Sequence, residues 1–566
     1  MTPPPPHRAW WKEAIVYQLY PRSFQDSNGD GIGDLPGILR RLDYLQDLGV
    51  TMLWLNPIYA SPQDDNGYDI SDYYAIDPAY GTMEDFERLL AEAGRRGIRI
   101  MMDLVVNHSS DEHAWFQASR SSREHPLRAY YIWRPPRPDG GPPSNWRSFF
   151  GGSAWEFDAQ TGEYYLHLFS KKQPDLNWEL PELRQEIYRM MRWWLDKGLG
   201  GFRIDVSPFL SKDPGFPDFP DDFSGDLAGY YASGPRIHAF LREMNEQVFS
   251  RYGIATVGEG AGIRMEEALE YVGQDRGELQ AIFHFDAITL DRDPGDFMRQ
   301  VPYTLPQLKA VFARWDAQLA GRGWNSVFLG NHDFPRMLSR FGDPEHFRSE
   351  SARLLATFLL SMRGTPYIYY GDEIGMVNAP FVSISEYRDI QTLNAWRELE
   401  ARGDAAELEA FLRMQAHVSR DHGRTPMQWD RSPQAGFSTA SPWIGVHPGY
   451  PACNAADQQQ DPDSVLAYYR RMIRLRKSMP LLAYGSFTLL EPEHPQLFAY
   501  VRAMEAEQVL VLLNWSGRAM EYEWPAEAGT AAELLISTYP DTRPAADRRQ
   551  RLRPWEGMLL RMHPGA

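Results

Sequence analysis

The chain has one cysteine, Cys453, so it can form no intrachain disulfide and build no Cys-rich metal centre. No stretch of 18 consecutive apolar residues occurs, so no membrane-spanning helix is expected. Positive charge is in deficit: 58 Lys and Arg stand against 76 Asp and Glu, a net charge of −18, which argues against nucleic acid or an anionic membrane as partner. The start, Met1–Arg8, is Pro-rich and lacks an apolar core, so no secretory signal is expected and a cytoplasmic location fits. There is no Walker A sequence, no convincing dinucleotide fingerprint and no Gly-x-Ser-x-Gly elbow, which removes the usual routes to nucleotide chemistry and serine nucleophiles.

The chain has many aromatics. They make up 13% of its 566 residues; such density can simply fill a large core, but Trp and Tyr also offer the flat faces with polar edges that sugars require. The length calls for two or three domains. Eight apolar, strand-like runs recur: Ala14–Tyr20, Thr51–Asn56, Ile98–Val106, Gly201–Val206, Ala255–Gly258, Ala281–Phe285, Ser326–Leu329 and Thr365–Tyr370. Amphipathic stretches such as Met83–Arg96 and Leu183–Lys197 alternate with them. This pattern predicts an α/β fold, a parallel (β/α)8 barrel spanning 1–106 and 178–480.

Two excursions break the rhythm. Residues 107–177 are too many for an ordinary loop, and their Trp and Tyr content reads as an inserted domain over the barrel mouth. A second excursion, about 375–451, follows the eighth strand. A helix through Arg476 is expected next, with Asp461 as N-cap and Pro462 at its first position. Residues 481–566, with short β-rich segments between turn residues, predict a C-terminal antiparallel β-sandwich.

In a parallel barrel, chemistry sits where strands end, and polar groups stand at those points: Asn107 and His108, Arg203 and Asp205, Glu259, Asp286, and Asn331, His332 and Asp333. Arg203 and Asp205 share one face of a strand, which alone is compatible with a plain salt bridge or with a held, ionised nucleophile. Three carboxylates, Asp205, Glu259 and Asp333, lie on separate strand ends. Only barrel closure would gather them, and their mutual repulsion makes an idle cluster costly. One ionised and one protonated carboxyl group are what glycoside hydrolysis needs. Separately, Asp26, Asn28, Asp30, the Ile32 carbonyl and Asp34 place oxygens at alternate positions of a Gly-containing loop. Gly37 stands where an EF-hand has its last Glu, so a stand-alone structural Ca²⁺ site is expected, the alternative being a loop of Asx-turns.

Taken together, Trp10–Glu13, Asp103–His108, Gln173–Asn177, Gly201–Asp205, Val257–Glu259 and Asn331–Asp333 resemble the alpha-amylase family, glycoside hydrolase family 13. Asn66–Asp69, Glu386–Asp389 and Arg424–Trp429 resemble its oligo-1,6-glucosidase and alpha-glucosidase branch. The resemblance implies a retaining mechanism with Asp205 as nucleophile, Glu259 as acid/base and Asp333 as stabiliser. It implies that His108, His332 and Arg203 line the reacting-sugar subsite and that Asp69 and Arg424 close the pocket as a pair. Tyr68, Phe169 and Gln173 would complete the wall, and Ca²⁺ would sit in the Asp26–Asp34 loop. The expected substrate is a short oligosaccharide, handled by a monomer or weak homo-oligomer. Val206, after the nucleophile, leans toward α-1,6 linkages. Phe334, where the branch usually has Gln, and Leu290–Asp293, which resembles a charged segment of sucrose isomerases, keep sucrose isomerisation or transfer as the alternative. A catalytically silent binding barrel is the non-enzyme alternative; the three retained carboxylates speak against it.

Overall fold

Eight short apolar runs pair side by side to form the centre of the molecule. In the computed structural model, which describes residues 8–545 and 547–563, they are β1 Val16–Leu19, β2 Met52–Leu55, β3 Arg99–Leu104, β4 Gly201–Ile204, β5 Ala255–Gly260, β6 Ala281–His284, β7 Ser326–Val327 and β8 Thr365–Tyr369. Each falls within or overlaps one of the eight expected runs. The start read as lacking a secretory signal lies, up to His7, outside the described residues. All neighbouring pairs are parallel, in the order β6-β5-β4-β3-β2-β1-β8-β7. Nearly every strand residue is buried, as parallel strands covered on both faces must be. The barrel is almost closed: β6 and β7 meet at a seam without ladder hydrogen bonds.

The outer helices follow from the same chemistry. Met83–Arg95 opens on a capping box between Thr82 and Asp85 and turns Phe86, Leu89 and Ala93 inward at helical spacing. Pro181–Asp196 starts with Pro at its first position, where no N–H is missed, and buries Leu183, Ile187, Trp194 and Leu195. The helix expected to begin at Asp461 instead spans Val465–Ser478, capped by Ser464. Asp461 closes the preceding helix, Ala455–Gln460, and its carboxylate accepts from the Asp463 amide two residues on. That local turn consumes the side chain that would have capped the helix.

Between β3 and β4 the chain adds the helix Ala114–Ser121 and an antiparallel sheet of Trp133–Arg134, Glu163–Leu166 and Trp155–Asp158. Phe116 stacks on Trp133 and meets Tyr165 edge-on, so aromatics form much of this layer's core. After β8, helices Ile390–Arg402 and Ala405–Val418 lean over the barrel mouth. Gln391 and Asn394 reach the inserted layer, donating to the carbonyls of Phe149 and Phe150.

Beyond the barrel, Ser486–Leu490, Leu497–Met504, Glu507–Asn514, Thr530–Ser537 and Gly557–His563 form an antiparallel sheet. A ribbon of Met520–Glu523 and Arg549–Leu552 covers it. Strand alternation divides the labour: Leu497, Ala499 and Val501 face the sandwich core, whereas Phe498 and Tyr500 face the barrel. Tyr500 is hydrogen-bonded there to Ser361.

Candidate active site

The site is built by register. Asp103 on β3 stands opposite Arg203 on β4, which stands opposite Val257 on β5. Paired residues point to the same side, and two residues on along each strand the same face recurs. Asp205 and Glu259 therefore emerge side by side, one layer above Arg203. Arg203 reaches all three carboxylates: Nη1 lies 2.7 Å from Asp103 Oδ1 and 2.5 Å from Asp205 Oδ1, and Nη2 2.7 Å from Glu259 Oε2. The Arg203–Asp205 pair is thus both a salt bridge and part of the carboxylate cluster. One guanidinium cannot neutralise three buried carboxylates. Burial raises Asp103 to about 6, and it raises both Asp205 and Glu259, with Arg203 opposing in each case.

The backbone adds a donor here. Val206 has φ +34°, a left-handed conformation that a β-branched residue rarely adopts and that costs on the order of 1–3 kcal/mol. That turn ends β4 and aims the Val206 N–H at Glu259 Oε2, 3.0 Å away.

Asp333 arrives from the loop after β7. Its Oδ1 accepts from Arg420 Nη1 at 3.0 Å and Arg424 Nη2 at 3.2 Å, and its Oδ2 lies 3.1 Å from His332 Nε2. Burial works against its charge, but the His332 edge and the two guanidiniums outweigh it and hold Asp333 well below the usual carboxylate range. His332 is held neutral, with burial lowering it to about 3. Its Nδ1 accepts from Gln18 Nε2, so the ring proton sits on Nε2, facing Tyr68 Oη and Asp333.

Arg420 escaped the sequence reading. It binds Asp389 and lies near Asp65 as well as Asp333, and its i, i+4 spacing to Arg424 was the available signal. Asp389 lies within a stretch already singled out, but only the fold shows it buried beneath both arginines and capping Ile390–Arg402. Asp69 and Arg424, expected to close the pocket as a pair, make no direct hydrogen bond to each other among the described residues. Asp69 is engaged by Ser61 Oγ and the amides of Asp64 and Asp65, and burial raises it to about 6. Arg424 spends Nε on the His332 carbonyl and Nη2 on Asp333. Each has nearer partners. Asp286 is also apart from the cluster, accepting from Trp315 Nε1.

His108, Tyr68, Gln173 and Phe169 lie together. His108 Nε2 lies 3.1 Å from the Tyr68 carbonyl and 3.3 Å from Gln173 Nε2, its ring beside Phe169, and burial lowers it to about 4. Tyr68 Oη links Asn56, Asp103 and His332. Beneath them, Lys212 Nζ contacts Asp175 Oδ2 and Asn107 Oδ1, each at 2.7 Å, tying the inserted layer to the barrel. Replacing Lys212 by Met strands the Asp175 charge, so urea unfolding is expected to show a loss of about 3–5 kcal/mol.

A cavity of about 530 Å³ opens beyond Glu259, large enough for a small oligosaccharide. Its lining includes Val206, Asp333, Phe334 and Arg420. Arg292 and Asp293 of the charged segment start a hairpin with Asp296–Gln300 that reaches the same mouth.

In the Asp26–Asp34 loop, Asp26 accepts from the amides of Asn28, Gly29 and Gly31 and from Ser438 Oγ. Both its oxygens are thus doubly engaged. Asp34 takes Ser27 on one oxygen and caps Leu35–Arg40 through Gly37 N–H on the other. Among the described residues no three His, Cys, Asp or Glu are grouped to hold a metal. A cation there would depend on Asn28 Oδ1, Asp30, the Ile32 carbonyl and Asp34, with Asp26 sharing oxygens already in use.

Comparison with known proteins agrees with this architecture. The alpha-amylase catalytic-domain family matches residues 18–485. An oligo-1,6-glucosidase of Parageobacillus thermoglucosidasius is 50% identical over 98% of this chain and 99% of its own length. An oligo-1,6-glucosidase of Halalkalibacterium halodurans is likewise 50% identical, over 97% and 98%. The solved isomaltulose synthase of Erwinia rhapontici NX5 superposes with a TM-score of 0.96 at 44% identity, over 99% of this chain and 100% of that one. With its barrel, its strand-end carboxylates and this near-complete match, the chain belongs to the alpha-amylase family, glycoside hydrolase family 13.

Proposed function

We propose that the protein is a retaining, exo-acting α-glucosidase that removes terminal α-1,6-linked glucose from short oligosaccharides such as isomaltose, with α-1,4 bonds as possible further substrates. The observation that carries this is the pair of buried carboxyl groups, Asp205 and Glu259, side by side on adjacent strands and bridged by Arg203. Two relatives at 50% identity bear the oligo-1,6-glucosidase name. In this reading Glu259 protonates the departing oxygen while Asp205 attacks C1, forming a glucosyl ester. Glu259 then takes a proton from water, which displaces Asp205 with net retention. Asp333, fixed by Arg420 and Arg424, grips hydroxyls of the reacting sugar. His332, whose Nε2 lies 2.6 Å from Tyr68 Oη and 3.1 Å from Asp333 Oδ2, and Arg424, which holds Asp333, orient that carboxylate toward the sugar. His108, Gln173, Tyr68, Phe169 and Asp69 form the remaining wall. The test is a product profile with isomaltose and sucrose, read by NMR from the first turnovers. Glucose released from isomaltose as the α-anomer supports the reading, and β-glucose overturns retention.

A second reading, isomerisation of sucrose, is favoured by the Arg292 hairpin at the mouth and by the isomaltulose synthase likeness. A glucosyl-fructose isomer as main product from sucrose would select it. We further place the protein in the cytoplasm as a monomer or weak homo-oligomer; no described helix is long and apolar enough to cross a membrane. Finally, we propose that Asp26, Asn28, Asp30, the Ile32 carbonyl and Asp34 bind Ca²⁺ in a structural role. Chelator is then expected to lower Tm and calcium to restore it, with kcat at low temperature unaffected. An unchanged Tm would show that the loop's own hydrogen bonds suffice.

A further inference from the structure

A cavity of about 150 Å³ lies where the inserted layer meets the barrel, and it shares no lining residue with the large cavity at the mouth. Its apolar wall is Ile132, Trp178, Leu210 and Phe216, all buried, and two cations, Arg134 and Lys212, complete it. Pro214 and Glu179 stand exposed at the rim. Phe216 has φ +45°, a left-handed conformation that a bulky residue adopts only when its surroundings impose it. Here its ring is held edge-on by Trp146 and Trp155, each at 5.4 Å, with the Arg134 guanidinium 4.5 Å from its centroid.

Arg134 is the unbalanced group of this cavity. A guanidinium has five N–H donors, and among the described residues the one acceptor it meets is the Trp133 carbonyl, 2.8 Å from Nη1. Glu163, whose charge reaches it, is held instead by Arg128 at 2.6 Å. Burial accordingly lowers the Arg134 pKa, and the Phe216 face offsets part of the cost of keeping the cation there. Lys212 has three N–H donors for two acceptors, Asp175 and Asn107. The other polar groups are matched: Trp178 Nε1 donates to the Val106 carbonyl, Asn177 Nδ2 donates to the Ala129 carbonyl, and the Glu179 carboxylate is paired with Arg236. What the wall leaves unmatched is donor and positive.

An occupant must bring a charged acceptor to one side and an apolar body to the other. A carboxylate matches the planar fork of a guanidinium. A cavity of about 150 Å³ lined by apolar side chains is one that a benzene ring fills. A sugar would turn hydroxyls toward four apolar side chains and lose their water partners. We infer that this cavity binds a small monocarboxylate with an apolar body of one ring, its carboxylate against Arg134 and its body among Ile132, Leu210 and Phe216. Binding there is reversible, requires no bond to form or break, and is independent of which glycosidic linkage the enzyme cleaves.

The experiment titrates the full-length enzyme with benzoate, benzamide or acetate, read by ligand-detected NMR and calorimetry. Benzoate is expected to bind once per chain. Benzamide, which keeps the ring and drops the charge, is expected to bind about tenfold more weakly, and so is acetate, which keeps the charge and drops the ring. Arg134→Met, which keeps an unbranched chain over Phe216, is expected to lower benzoate affinity about tenfold and leave benzamide unchanged, with Arg134→Lys recovering part of the loss. Pro214→Trp, at the exposed rim, narrows the entrance without touching Arg134 and is expected to weaken both aromatic probes, so the inference stays testable if Arg134→Met does not fold. No benzoate binding, equal affinity for benzoate and benzamide, or benzoate affinity that survives both Arg134→Met and Pro214→Trp overturns it. Displacement of benzoate by excess glucose would place the probe at the barrel mouth and overturn it as well.

Discussion

Asp205→Asn is expected to lower kcat on an aryl α-glucoside by roughly 10⁴-fold or more, because the amide can neither attack C1 nor leave from it. Stability should move the other way. Asp103, Asp205 and Glu259 share a single guanidinium, so removing one charge relieves repulsion in a buried site. Tm at neutral pH is therefore expected to equal or exceed that of the native enzyme, the usual trade between an active site and its fold. Activity near the native level would show that the nucleophile lies elsewhere. A loss of activity accompanied by a large fall in Tm would mean that Asp205 holds the barrel together.

The second large effect belongs to Arg203. Replacing it by Leu strands three buried carboxyl groups, and breaking such a cluster costs about 3–5 kcal/mol. Arg203 now lowers all three pKa values against burial, so without it each rises further. The nucleophile then ionises at higher pH and the acid holds its proton to higher pH. Both limbs of the kcat/KM profile should move in the alkaline direction, with a drop of roughly 10³-fold at pH 7. The stability change follows the same sign. A carboxyl group whose folded pKa lies above its unfolded one destabilises the fold as pH rises, so Arg203→Leu should lose most stability above pH 6 and regain part of it near pH 4. A flat stability profile across that window would mean that the carboxyl groups find other partners.

Much of this was legible in the sequence, for a physical reason. Strands buried on both faces read as short apolar runs, and a barrel places chemistry one residue past them, which is why Asp205 stood out beside Ile204. The register that brings Glu259 level with Asp205 follows from the same parallel ladder. What escaped came from irregular chain. Arg420 and Asp389 sit in the excursion after β8, where no period relates sequence position to place above the barrel. The partners that hold Asp69 and Arg424, the Asp64 amide and Asp333, likewise come from the fold and not from any sequence period. Asp461 lost its cap to Ser464 because two cap signals stood three residues apart and local turn chemistry chose between them.

The seam between β6 and β7 has one more implication. Asp103, Arg203, Asp205 and Glu259 stand on or just past strands zipped to their neighbours on both sides, so that half of the site is mechanically stiff. Phe285 and Phe334 project from the loops after β6 and β7, across the unzipped edge. Side chains there can change size, and the two lips can part slightly, without breaking a single ladder bond. The barrel thus behaves like a jaw with one fixed side and one yielding side. Natural variation should accumulate at positions such as Phe285 and Phe334 along the yielding lip, while the side that carries Asp103, Arg203, Asp205 and Glu259 stays constant.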